Sequence, residues 1–572
     1  MSVTDWIILA ATLLGIVVFG IWKSRGNRDI DGYFLGNQSL PWYHVCLSVM
    51  ATQASAITFL SAPGLAYSSG MSFVQFYFGL PLAMIVLCIT FVPIFHRLKV
   101  YTAYEFLEKR FDLKTRALTA LLFLIQRGVS TGITIYAPSI ILSTILNIDT
   151  TYTTLFIGGL VIVYTVYGGT RAVSYTQLLQ MSIIFSGLFM AGIMVVYLLP
   201  ENVGMGDALH IAGKMGRTNA IDFSFDWDNQ YTVWSGLIGG FFLQLSYFGT
   251  DQSQVGRYLT GASVNHSRLG LLMNGLVKIP MQFLILMIGV LVFAFYQFRQ
   301  PPVFFNSYEL NKLENSRYAP DLDRIKSDYA AAFREKRDLV SGLNTAMEQD
   351  DEQAVARQRR ALKAADEKMK SVRGEAIDLM KKNDPGADTN DNNYIFLSFV
   401  TRYLPQGLIG LLIAIVFLAS MGSTASALNS LTSTTVVDIY KRLIRKEDSD
   451  ASYLLVSRIT TVCWGVFCII MALYASRLGN LIEAVNILGS LFYGTILGIF
   501  IVAFYFKRTG GSATFKAAVI SEAIVCLVYW HDSIAFLWLN VIGCTLVVFI
   551  SMILQRLEGT KKPAPAEQVL RA

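Results

Sequence analysis

Apolar runs of about 17–25 residues, the length that crosses hydrocarbon as a helix, recur along the whole chain. They fall at 5–23, 43–67, 73–98, 116–146, 152–169, 174–199, 232–256, 270–298, 398–438, 453–476, 482–506, 513–530 and 533–555. The pattern predicts an all-α integral membrane protein of about 13 transmembrane helices. One stretch breaks the rhythm. Residues 299–397 are polar, and between Ser307 and Asn393 they hold 16 Lys/Arg against 18 Asp/Glu. Helix formers with opposite charges three or four apart predict two solvated helices there. They form an antiparallel hairpin hinged near Asp350 and closed by Asn383-Asp-Pro-Gly. Its first reading is a solvent-exposed helical decoration; docking of a partner is the second.

The loops set the orientation. Cations gather at Lys23/Arg25/Arg28, Arg97/Lys99/Lys109/Arg110, Arg171, Arg257/Arg268, Lys441/Arg442/Arg445/Lys446, Lys507/Arg508 and Arg556/Lys561/Lys562. All of these fall on one side if the N-terminus is outside, as positive-inside topology requires. Asp5 before the first run and Lys23 after it reverse a signal peptide's charge order, so that helix is retained. The expectation is a multi-pass cell-membrane protein (the inner membrane in a bacterium) with a cytoplasmic C-terminus and an extracytoplasmic insert. The units are 1–42, a leading helix and loop; 43–199 and 232–506, two five-span blocks joined by an outer loop at 200–231; 507–555, two peripheral helices; and 556–572, a cytoplasmic tail. The insert 299–397 interrupts the second block.

Composition agrees. Hydrophobic residues make up 53% and charged ones 15%, against roughly 25% charged in soluble chains. The net charge of +7 sits in the short loops and gives no sign of nucleic-acid binding. The six cysteines lie in or beside apolar runs without a CxxC, and the five histidines are scattered. No nucleophile–base pair, metal-ligand spacing or phosphate-binding loop appears, so an enzyme is not expected.

Candidate chemistry lies where spans turn polar. The stretch 407–440, GLIGLLIAIVFLASMGSTASALNSLTSTTVVDIY, fills with small and hydroxyl residues yet stays uncharged until Asp438. Ala419, Gly422 and Ser423 share one face, as a slot for a small hard cation or as part of a Gly422/Ser426/Ser430 packing seam. Polar residues 48–58 interrupt the second span, and 246–252, with Gly249, the seventh. Breaks in corresponding spans of two blocks point to an inverted-repeat transporter with freed carbonyls at the breaks. Residues 164–180 read as a Gly-Gly turn between two spans. Arg127 lies deep in its span, to hold an anionic group or to pin helices. Lys278 is placed to snorkel to the interface, Asp251 to pair with Arg257, and Glu483 to sit at a span's start.

These pieces resemble the sodium:solute symporter family, which includes sodium–glucose, sodium–proline and sodium–sialic acid carriers. The likeness rests on YFLGNQSLPW at 33–42, ATQASA at 51–56, YTVYGGTRAVSYTQLLQ at 164–180, SYFGTDQSQVGRYLTG at 246–261, and YLPQGLIGLL running into ASMGSTASALNS and Asp438-Ile-Tyr440. The resemblance implies a leucine-transporter-like fold of two inverted five-helix repeats, one helix ahead and two behind. It implies a sodium ion as cofactor, held by carbonyls of Ala51, Ala54 and Ala419 and the Ser423 hydroxyl, with Gly422 where a second hydroxyl is usual. Gln177 stands where members with an additional sodium site carry a carboxylate, and Ala425 where they carry a hydroxyl, with Ser426 kept. One sodium per cycle is therefore expected. By position, Gln53, Ser55, Thr58, Tyr77 and Tyr247 fall on solute contacts, Lys278 on a lysine of sugar carriers, and Arg127 near an arginine of sialic acid carriers.

The function expected is sodium-coupled uptake of a small polar organic solute, a sugar or sugar acid, by alternating access. Membrane lipid and the solute are the partners, with no nucleic acid and no obligatory protein partner. Alternatives are a solute sensor on the same fold, disfavoured by a tail of only Leu557–Ala572, and a proton-coupled carrier. None of Ala51, Ala54, Ala419, Gly422 or Ser423 can titrate, which disfavours the latter.

Overall fold

The computed structural model describes residues 1–24, 38–98, 100–201, 203–349, 351–445, 449–531 and 534–558, with the backbone alone at 17, 20–24, 167–175, 348, 450 and 476. Residues 33–37 of the leading motif, the hinge residue Asp350, the loop cations Arg25, Arg28, Lys99 and Lys446, and the tail from 559 lie outside the described residues, as do the side chains of the Gly168-Gly169 turn. The described chain is helical, its only extended pairing an isolated bridge between Leu40 and Gly261.

In order the principal helices are α1 (Val3–Ser24), α2 (Trp42–Gln53), α3 (Ala56–Ser69), α4 (Ser72–Leu98), α5 (Leu113–Leu146), which follows a short helix at Glu105–Arg110, α6 (Thr150–Tyr197) and α7 (Met205–Lys214). There follow α8 (Gly240–Thr250), α9 (Gln252–Tyr258), α10 (Val264–Phe298), α11 (Ser307–Glu314), α12 (Ala319–Glu348), α13 (Glu352–Asn383) and α14 (Ile395–Tyr403). The last are α15 (Leu408–Ile444), α16 (Asp450–Leu473), α17 (Leu481–Tyr505), α18 (Gly511–Trp530) and α19 (Phe536–Glu558). Among the described residues nine helices are long and apolar enough to cross a membrane, and the α2–α3 pair makes a tenth as one broken span. Val3–Ile16 and Thr150–Val166 are shorter apolar helices.

Caps explain where several helices start. Asp112 accepts from the Thr115 amide at 2.8 Å, Ser263 from that of His266, and Asn480 from that of Ile482. Each satisfies an amide that the first turn leaves unpaired. At the start of α15 the cap comes from another helix. Gly407 takes φ +88°, open to glycine at little cost, and Asp5 Oδ1 accepts from the amides of Gly407 (2.6 Å) and Gly410 (3.1 Å).

The helix α15 forms the axis. Its most apolar window is 94% buried, against 22% for that of α16 and 33% for α18. A span buried all round can carry hydroxyls, since neighbours rather than lipid receive them. Its last turns, Thr434–Ile444, are π-wound, and Asp438 there meets Arg116 of α5 at 2.6 Å and the Thr102 hydroxyl at 2.7 Å.

Three expectations change. Residues 150–197 form a single helical run, but it cannot be straight. The hydroxyls of Tyr164 and Thr176 lie 3.0 Å apart, whereas twelve residues of straight helix would separate them by about 18 Å. The run is therefore bent between Tyr164 and Thr176. In the seventh span Gly249 remains helical, and the break comes at Asp251, whose carboxylate caps α9 by accepting from the Ser253 amide at 2.8 Å. A Cβ on Gly249 would come within 2.9 Å of Leu87 and Phe91, so close packing explains that glycine.

The insert is the expected antiparallel hairpin. Arg324 faces Glu375, Lys336 faces Asp366 and Glu335 faces Lys368 across α12 and α13. It is not a free decoration. Val340, Leu343 and Leu362 are buried against Ile211 of α7 and pack on Phe298 of α10, apolar surface whose removal from water favours the docked position.

Candidate functional site

The broken span is the starting point. Helix α2 ends at Gln53, Ala54 and Ser55 leave helical geometry (ψ 77° and 173°), and α3 sets off at 62° to it. Small, weakly helical residues make this break inexpensive. The Ser55 amide turns to the Gln53 carbonyl and the Thr58 amide to the Ser55 carbonyl, each at 3.0 Å. In an unbroken helix those two amides would serve the carbonyls of Ala51 and Ala54. Both oxygens are thereby released from the helical ladder.

On the facing helix, Ser423 Oγ lies 2.9 Å from the Ala419 carbonyl and 3.2 Å from that of Ser420. One turn further along α15, Ser426 Oγ meets Thr52 Oγ1 at 3.3 Å and brings the break against this face. The four oxygens expected to hold sodium therefore come from two abutting elements, with no titratable group among them. Neutral oxygens on loosened backbone and an alcohol suit a hard monovalent cation. Gly422 adds none: its carbonyl already accepts from Ser426 Oγ (2.9 Å) and Gln177 Nε2 (3.3 Å).

Gln177 fills the neighbouring place. Its Oε1 accepts from Ser48 Oγ at 2.6 Å, and Nε2 donates to Ser426 Oγ (3.0 Å), Thr52 Oγ1 (3.3 Å) and the Gly422 carbonyl. Thr52 and Ser426 donate their own hydroxyl protons to carbonyls one turn back, so both can accept from the amide. Oxygens that could face a second cation face amide hydrogens instead.

A cavity of about 90 Å3 opens beside the break, lined by Gln53, Ser55, Thr58, Tyr77, Arg127, Tyr247 and Ser423. The sequence brought these residues forward, and the fold gathers them. It also adds Gln244, Asn486 and Tyr493, which sequence reasoning missed. Asn486 and Tyr493 stand in an ordinary apolar run, where no local signal sets them apart.

Arg127 has both a wall position and a tether. Its Nη1 lies 3.7 Å from Asp251 Oδ2, and its Cζ sits 5.9 Å from the Tyr247 ring centroid. Asp251 also accepts from Tyr493 OH at 2.8 Å, and from the Ser253 amide and hydroxyl. The expected Asp251–Arg257 pair is replaced by this arrangement, because the break at 251 turns the carboxylate into the bundle. Arg127 Nε has no hydrogen-bond partner among the described residues.

Lys278 does not snorkel. Helix α10 begins at Val264, so Lys278 lies fourteen residues in, about 21 Å along the axis and beyond reach of that end. It is wholly buried, with Nζ 5.8 Å from the Tyr77 ring and no hydrogen-bond partner among the described residues. It stands behind Tyr77 rather than on the cavity wall. Glu483, at the start of α17, accepts from Tyr231 OH at 3.2 Å.

Known proteins share this architecture. The model of the sodium:solute symporter family matches residues 33–306 and 376–520, leaving out most of the hairpin. A sodium/sialic acid symporter of Proteus mirabilis is 24% identical over 99% of this chain and 96% of its own length. The human sodium/iodide cotransporter is 31% identical over 51% of this chain; the match spans 45% of that protein. The solved substrate-bound, outward-open structure of a Na+-coupled sialic acid symporter superposes with TM-score 0.76 at 21% identity, covering 98% of this chain and all of that one. The chain therefore belongs to the sodium:solute symporter family, as a multi-pass membrane protein that moves a solute with sodium and is not an enzyme.

Proposed function

We propose that this symporter takes up a small polar organic solute of the sugar or sugar-acid class, one sodium ion per cycle. The reading rests above all on the released carbonyls at Ala51 and Ala54 beside the Ala419–Ser423 oxygens. Sodium held there favours the bent form of α2–α3, which presents Gln53, Ser55 and Thr58 to the solute. Solute and ion then stabilise each other's binding, and alternation of the cavity between the two sides completes the cycle. Two five-helix inverted repeats, thirteen spans and an outside N-terminus go with this reading. So do Tyr77 and Tyr247 as solute contacts, Lys278 as a support behind Tyr77, and one sodium site, since Gln177 donates where a second ion would need acceptors.

Two observations favour the acidic end of the class. Arg127 reaches its carboxylate only at 3.7 Å and keeps Nε unpartnered on the cavity wall. The test is uptake of labelled sugars and sugar acids into proteoliposomes with and without an inward sodium gradient. Accumulation that ignores sodium, or follows a proton gradient instead, would overturn the reading.

A further inference from the structure

A second cavity, of about 240 Å3, lies between the hairpin and the ends of α3 and α10. Four cationic side chains line it: Arg217, Lys336, Lys370 and Arg373. Carboxylates answer only part of that charge. Lys336 (2.7 Å) and Lys370 (3.3 Å) share the single carboxylate of Asp366, and Arg373 is paired with Asp391. Arg217 has no carboxylate within ion-pair distance among the described residues; it donates to the Ser68 carbonyl, stacks 4.9 Å from Phe293, and leaves Nε buried and unpartnered. Burial depresses the Arg217 guanidinium, and burial together with the Arg217 charge depresses the Lys336 ammonium below the usual lysine range.

We propose that this cavity binds a small organic anion, its carboxylate on Arg217 and Lys370 and its flat apolar body against Tyr67, Tyr296 and Tyr329. A half-buried guanidinium without a carboxylate, beside two lysines that share one, makes an oxyanion the complementary guest, with guanidinium geometry suited to a carboxylate. The aromatic walls favour an apolar body over a fully hydrated ion: Tyr67 sits edge-on to Phe293 (5.5 Å) and Tyr296 (6.0 Å). Such a guest would tie α13 of the insert to α3, the helix that follows Ser55 and carries Thr58 in its first turn. The site is separate from the central cavity and does not depend on which solute is carried.

The experiment is a thermal-shift titration of the full-length purified protein at constant sodium, pH and ionic strength, exchanging chloride for benzoate, acetate or sulfate. Benzoate should raise Tm saturably and acetate less, whereas sulfate should give only the unsaturable rise of an excluded salt. Arg217→Gln should weaken the benzoate response about tenfold or more, as expected for losing a charge-assisted pair. Lys370→Gln, on the more exposed face of the hairpin, gives the same readout if Arg217→Gln does not fold. A sulfate response that saturates as benzoate's does, or a benzoate response unchanged in Lys370→Gln and Arg217→Gln, overturns the proposal.

Discussion

Gln177 Nε2 donates to Ser426 Oγ at 3.0 Å, joining α6 to the central helix through a neutral donor. The isosteric change Gln177→Glu puts an oxygen where that NH2 stands, facing the Gly422 carbonyl and the hydroxyls of Thr52 and Ser426. Oxygen against carbonyl repels unless a cation comes between them. The variant should acquire a second sodium: the Hill slope of uptake against sodium rises from about one toward two. Initial rates over a sodium series decide it, and an unchanged slope would remove Gln177 as the basis for the proposed single-ion coupling.

In the proposed cation site Ser423 is the one side-chain oxygen among backbone carbonyls. Ser423→Ala should raise the sodium concentration for half-maximal uptake roughly tenfold, the scale of one lost bond to a charge. Gly422→Ser should move it the other way. A Cβ there meets Gln180 Oε1 at 2.5 Å, the far end of a flexible side chain whose Oε1 has no hydrogen-bond partner among the described residues. Gln180 can swing aside and leave a new hydroxyl beside the site. Sodium titrations of uptake in both variants test the pair.

The sequence shows the broken span because weakly helical, polar residues in mid-membrane have few explanations, and 48–58 concentrates them. It shows the hydroxyl face of 419–426 for the same reason. It cannot show that Arg127 meets Asp251, since 124 positions separate them and only packing brings them together. The failure at Lys278 is one of measure: the span begins six residues earlier than its apolar run, and that length decides whether a lysine reaches water. The hairpin's charge pattern foretells its pairing. Its docking depends on Val340, Leu343 and Leu362, which at their spacing suit a hairpin's own interior equally well.

Arg127 and Asp251 should behave as a coupled pair. Removing one partner of a buried ion pair costs about 3–5 kcal/mol, because the other charge is stranded. Arg127→Gln should therefore lower Tm more than the double variant Arg127→Gln/Asp251→Asn does. Tyr493→Phe, which takes one donor from the same carboxylate, should cost about 1 kcal/mol. Transport adds an independent readout. If the guanidinium also receives the solute's acid group, Arg127→Lys raises KM for an acidic solute and leaves a neutral one little changed.

The segment after the hairpin should make stability depend on pH. Asp388, outside the membrane spans, has its carboxyl raised to about 7 by burial, with Glu309 and Asp391 adding to the rise. The Asn390 amide and the Tyr394 hydroxyl, the latter at 3.1 Å, oppose it. Unfolded, the group titrates near 3.9, so folding takes up a proton between the two values. The ionised form is penalised in the folded state: the penalty is absent below the unfolded value, grows as pH rises, and is complete above about 7. Tm should consequently climb as pH falls from 8 to about 5.5, on linkage grounds. Asp388→Asn, which keeps the shape and cannot ionise, should flatten that slope while leaving Tm at the acid end near the parent's. A parallel slope in the variant would assign the dependence to another group.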